Sequence, residues 1–154
     1  PQQQFNVEIE LIGSYQKSMI GEDETFGFEI RTEKTAYLLL IDVDPSGAAH
    51  VLYPFDKSEL KPLAPGEKKT LTGRCRALWP FGTETVKLFA FTQRPNELEF
   101  FLGKEDIHPD SALFKNLERL VGVGGMNPAR ASVRTDAAQA ALNLTSYSKA
   151  NMRR

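Results

Sequence analysis

At 154 residues, 41% hydrophobic and 25% charged, the chain has the size and composition of a single domain with room for a proper core. Its 19 basic and 20 acidic residues, mixed along the sequence for a net charge of −1, exclude a general phosphate-backbone binder, so no nucleic-acid partner is expected. A lone cysteine excludes an internal disulfide, and two histidines leave little for a transition-metal site or a metal cofactor, so no cofactor is expected.

The chain opens on Pro1 rather than Met, as a processed product or an excised piece does. Phe5 to Leu11 alternates apolar and polar residues with period two, which predicts a half-buried strand ended by Gly13. Phe26, Phe28 and Ile30 repeat that pattern in a second strand. Ala36 to Val43 is apolar on both parities and predicts a central strand covered on both faces. Its unbroken apolar run, Ala36 to Ile41, is the longest in the chain and far too short to span a bilayer, so no membrane insertion is expected.

Asp44-Pro45-Ser46-Gly47 has the residues of a tight turn, and Ala49, Val51 and Tyr53 carry the return strand of a hairpin that Pro54 stops. Lys57 to Lys69 reads as a surface connection. Thr70 to Trp79 alternates again, placing Leu71, Cys75, Ala77 and Trp79 on one face. After Pro80-Phe81-Gly82 a further strand runs over Thr85 to Thr92. Asp110 or Ser111 then caps a helix whose apolar face holds Leu113, Phe114, Leu117, Leu120 and Val121, ended by Gly122, Gly124 and Gly125. A closing strand is expected over Ala141 to Tyr147, to cover an edge of the sheet. The expected fold is mainly β: an antiparallel two-sheet sandwich, immunoglobulin-like or similar, with one helical insertion near 110–122. One domain is expected over 1–154, its sandwich core at about 5–95 and the helix and closing segment at about 96–148.

Two blocks carry a resemblance. Ala36 to Gly47 running on to Leu52-Tyr53-Pro54 resembles a "Y-L-x-L-x-x-V-D-x-x-G…L-Y-P" hairpin, and Pro80-Phe81-Gly82-Thr83-Glu84 with Val86-Lys87 resembles a "P-F-G-T-E-x-[VL]-K" block. Both are similar to a bacterial domain of unknown function, number 4384, whose members typically follow a caspase-like peptidase or a protein kinase in a longer polypeptide. The similarity covers roughly Phe26 to Pro95. It implies an appended, non-catalytic module whose partner is another protein or a linked catalytic domain, and it brings no catalytic residues.

Candidate sites are few. Cys75 lies between Arg74 and Arg76, a setting that can favour a thiolate, but its parity with Leu71 and Ala77 predicts a buried structural thiol. His50 is the conceivable partner for a cysteine dyad, yet its strand position reads as solvent-facing. Asp42, Asp44 and Ser46 before Gly47 match the first half of an EF-hand loop. Tyr53 stands where its bidentate Glu belongs, so Asp42 and Asp44 make a weak calcium candidate beside the simpler hairpin turn. The glycines at 122–125 follow a helix rather than lead one, and read as a connector rather than a phosphate cradle.

The most distinctive feature is a pair of aromatic-proline-phenylalanine corners, Tyr53-Pro54-Phe55 and Trp79-Pro80-Phe81, each following a strand. If those strands run the same way, the corners share one pole. Rigid aromatics on loops then offer a binding surface, or else cap the core. Tyr53, Phe55, Trp79 and Phe81 are therefore the candidate binding residues. The expected function is a non-catalytic interaction or sensing module for a protein or peptide. A small-molecule or carbohydrate-binding sandwich and a cysteine enzyme centred on Cys75 are the alternatives.

Overall fold

The computed structural model describes residues 5–13, 18–122 and 137–149. Eight strands and one helix appear in the order β1 (Val7–Ile12), β2 (Met19–Gly21), β3 (Thr25–Thr32), β4 (Tyr37–Val43), β5 (Ala49–Tyr53), β6 (Lys69–Arg76), β7 (Thr83–Phe91), α1 (Ala112–Val121) and β8 (Ala137–Tyr147). Short 3-10 segments lie at Lys57–Glu59 and Asn96–Phe101. The strands form a three-stranded sheet, β1-β3-β6, and a five-stranded sheet, β2-β8-β7-β4-β5. The fold is mainly β, a two-sheet sandwich with a helical insertion, as the strand periodicities predict.

Alternation dictates the layers. Phe26, Phe28 and Ile30 of β3 face Leu38 and Leu40 of β4 and Val86 and Leu88 of β7, and together they form the core between the sheets. The other parity of β4 and β7, Leu39, Ile41, Phe89 and Phe91, builds a second apolar layer with Leu98, Phe101, Leu117, Leu120 and Val121. This outer layer is why Ala36 to Val43 reads as apolar on both faces. The helix that covers it starts at Ser111, whose hydroxyl accepts from Phe114 N–H at 3.1 Å, and stops at Gly122, whose φ of 98° suits glycine.

Three elements differ from expectation. β2 is too short to show a period, and it alone pairs in parallel, with β8. β8 is longer than Ala141 to Tyr147: its alanine-rich start, a good helix former by propensity, pairs with β7 down to Ala137 opposite Phe91. β6 ends at Arg76, so Trp79 is not in line with Leu71 and Cys75.

β6 also carries a bulge. Leu71 opposes Phe28 and Cys75 opposes Phe26, so four steps along β6 span two along β3. The even surplus keeps Leu71 and Cys75 on the inner side. Gly27 makes the bulge possible, since a Cβ there would lie 2.0 Å from the Leu71 carbonyl oxygen, and Gly73 turns with φ 62°.

Candidate functional site

The inner face of the large sheet changes character towards one end. β4 runs Leu38, Leu40, Asp42 and β7 runs Leu88, Val86, Glu84 along the same face. Aspartate and glutamate thus stand where leucine and valine would complete the pattern. Asp42 is 3% exposed and Glu84 6%. Cys75 reaches across from β6 and its Sγ donates to Asp42 Oδ2 at 3.6 Å. Among the described residues, Asp42 Oδ1 and Glu84 Oε2 receive no N–H or O–H donor.

The two carboxyls act on one another's protonation. Burial raises the Asp42 pKa well above its ordinary range, and the bond to Glu84 and the negative charge of Glu84 push the same way. Burial also raises Glu84, with partial relief from Asp42 and Ser146. The Cys75 thiol is driven far above the thiolate range by burial and by these two acids.

Around this floor the fold opens a cavity of about 470 Å³, with Thr25, Cys75, Arg76, Leu78, Trp79 and Pro80 on one side and Asp44, His50 and Asp106 on the other. His50 is not solvent-facing as expected. Its side chain is 21% exposed. Its Nδ1 accepts from Asp106 N–H at 3.2 Å, so the proton sits on Nε2, which meets Asp44 Oδ2 at 2.8 Å. Asp44 also accepts from Ser46 N–H, Ser46 hydroxyl and Ala48 N–H, closing the β4–β5 hairpin. Burial alone would raise the Asp44 pKa, but the His50 and Ser46 hydrogen bonds outweigh it and hold the carboxyl low.

The calcium candidate therefore divides: Asp44 is spent on a turn, and Asp42 faces inward beside Glu84. Among the described residues no group of three or more His, Cys, Asp or Glu side chains is arranged to hold a metal ion. The cysteine dyad divides too, because Cys75 pairs with Asp42 and His50 with Asp44.

The aromatic corners do not share a pole. β5 runs from Ala49, opposite Val43, to Tyr53, opposite Leu40, and the first corner leaves its far end. The second corner enters β7 beside the hairpin turn: a Cβ on Gly82 would touch Pro45 at 3.4 Å. Both X–Pro bonds, Tyr53–Pro54 and Trp79–Pro80, are cis.

Tyr53 is buried in the core and donates its hydroxyl to the Glu59 carbonyl at 3.0 Å. Phe55 lies under the Arg74 guanidinium, 4.2 Å from its ring centre, and Arg74 makes a two-pronged ion pair with Glu59 at 3.1 and 2.5 Å. Phe55 stays 41% exposed beside that contact, while Tyr53 is sealed in the core. Trp79, by contrast, is 83% exposed on the rim of the cavity, beside Leu78, while Phe81 is half-buried. Of the four aromatic candidates only Trp79 is presented to solvent at a cavity.

Glu84 was not among the site candidates of the sequence, and His50 was one only as a dyad partner for Cys75. The available signal was the break in parity at Asp42 and Glu84, where an inner apolar column ends in an acid. A second cleft of about 700 Å³ lies between α1 and the Asn96–Phe101 segment, lined by Phe100, Phe101, Leu113 and Leu120. It has an exposed Phe100 but no buried polar group. No helix among the described residues is long and apolar enough to cross a membrane. No protein-family model, curated protein or solved structure matches the chain.

Proposed function

We propose that this chain is a non-catalytic binding module that docks a protein or peptide segment at the Trp79 pole. The observation that carries this reading is Trp79 itself: a large rigid aromatic, 83% exposed, on the rim of a cavity whose floor is buried and polar. Indole area at a pocket edge is the usual makeup of a binding hot spot.

The chemistry supports a non-catalytic role. Cys75, the one thiol, is held protonated and is therefore a poor nucleophile. His50 has both ring nitrogens engaged, one with Asp44 and one with the Asp106 backbone. The proposed place of the module, appended to a caspase-like peptidase or a kinase, rests on the two sequence blocks alone.

Panning a random peptide library against the isolated domain and its Trp79→Ala variant tests this reading. Peptides enriched on the first and lost on the second, with both proteins equally folded, are the expected result. No enrichment, or enrichment indifferent to Trp79, would sink it. The buried polar floor of the cavity beside an exposed indole favours one second reading, a small polar ligand or sugar stacked on the indole. It would show as a rise in melting temperature with compounds from a metabolite or glycan panel.

A further inference from the structure

We infer that the mouth beneath Trp79 receives a cationic side chain of the docked segment, a lysine ammonium or an arginine guanidinium, against the paired carboxyls of Asp42 and Glu84. This deepens the reading of the Trp79 pole as a protein-docking site and rests on it.

The first support is hydrogen-bond accounting. Asp42 is 3% exposed and lines the cavity, yet among the described residues neither its Oδ1 nor Glu84 Oε2 receives a donor. Buried acceptors without donors are costly and uncommon. Protonation, which burial favours at both acids, relieves part of the cost in the free protein. A ligand with several N–H donors and a positive charge would relieve it better: an ammonium offers three donors, a guanidinium five.

The second support is that, among the described residues, no cation forms an ion pair with Asp42 or Glu84. Arg74 is held by Glu59 and by the Leu52 carbonyl. The Nε2 of His50 faces Asp44. Arg76 is on the exposed rim and forms no ion pair among the described residues.

The third is the surround. Asp44, Glu105 and Asp106 add negative charge to the lining, and Arg76 is the one strong cation there not already matched. A cation passing the rim crosses the open face of Trp79, where the ring quadrupole favours positive charge. An anionic group would meet the acids instead.

Burial favours the protonated form of both acids, and a cation favours the ionised form, so binding strengthens as pH rises. The titratable and charged groups that line the same cavity are Asp44 and His50 from the β4–β5 hairpin and Arg74, Cys75 and Arg76 from β6. Glu105, Asp106 and His108 line it from the connector before α1.

The probes are four acetylated, amidated glycine peptides with one central residue each: lysine, arginine, Nε-acetyl-lysine or glutamate. Backbone amide and indole N–H shifts of the domain are followed during titration. The lysine and arginine peptides are expected to move Trp79, Asp42 and Glu84 together and to bind more tightly at higher pH. The acetyl-lysine and glutamate peptides are expected to leave those signals in place. The near-isosteric D42N/E84Q variant, its fold checked by the same spectrum, is expected to lose affinity about tenfold or more.

Response to acetyl-lysine equal to that of lysine, or lysine binding retained in D42N/E84Q, overturns the inference. Library peptides that depend on Trp79 yet contain no enriched lysine or arginine overturn it too, while leaving the docking pole intact. Absence of any Trp79-dependent peptide removes both.

Discussion

Two corners of almost the same sequence, Tyr53-Pro54-Phe55 and Trp79-Pro80-Phe81, have opposite physical fates. In the first, every aromatic has a partner: Tyr53 is in the core and Phe55 is under Arg74, which Glu59 fixes in turn. In the second, the leading aromatic projects into solvent over a cavity. Motif and cis-proline geometry are shared, so neither decides the outcome. What decides it is what the neighbouring strands supply. β6 sends Arg74 over the first corner and Cys75 under the second, and the inner column that would have packed against an indole ends in Asp42 and Glu84.

The largest effect that could break this contrast is at the Tyr53 corner. Tyr53→Ala is expected to cost about 3–4 kcal/mol, from lost burial and a cavity, measured by urea denaturation; a change below about 1 kcal/mol would mean that the corner is not part of the core. Arg74→Ala follows at about 2 kcal/mol, because it removes a charge-assisted pair and a stacked guanidinium together. A loss matched by Glu59→Gln, with little further loss in the double variant, would show that the two act as one unit.

The pH dependence sharpens the contrast, since the two regions carry opposite signs. Burial would raise Glu59, but the Arg74 and Phe55 N–H hydrogen bonds outweigh it and hold its pKa below 4.5. Its contribution is therefore present above pH 4.5 and lost as pH falls through the lowered value. Asp42 has a folded pKa raised well above 3.8. The stability linked to it is full below pH 3.8 and declines as pH rises through the raised value. Asp42→Asn is expected to flatten the alkaline side of the stability profile and leave the acid side unchanged, with Glu59→Gln doing the reverse. Parallel profiles for the two variants would contradict the assignment. The smallest effect belongs to the open corner: Trp79→Ala should change stability by no more than about 0.5 kcal/mol.

Most of the sandwich was legible because one-sided strands announce themselves by period. β1, β3, β4, the β4–β5 hairpin and α1 all follow from where Phe, Leu and Ile recur. What was hidden required knowledge of neighbours. β2 exists only through pairing with β8, and the alanine-rich start of β8 is extended because β7 offers it a partner along Ala137–Thr145. The floor of the cavity joins Asp42, Cys75 and Glu84 from three strands, an adjacency that no spacing within one segment encodes. Tyr53 and Trp79 were indistinguishable as letters in a motif, because one joins the core between the sheets and the other does not, a difference that no local spacing encodes.

The most direct measurement uses Trp79 as its own reporter, since it is the only tryptophan in the chain. Acrylamide quenching of the free domain should be close to that of the denatured chain, and saturation with a library-selected peptide should protect the indole and shift its emission to the blue. An indole already shielded in the free domain, or one whose quenching does not change while a selected peptide is bound, would contradict a docking site at this pole.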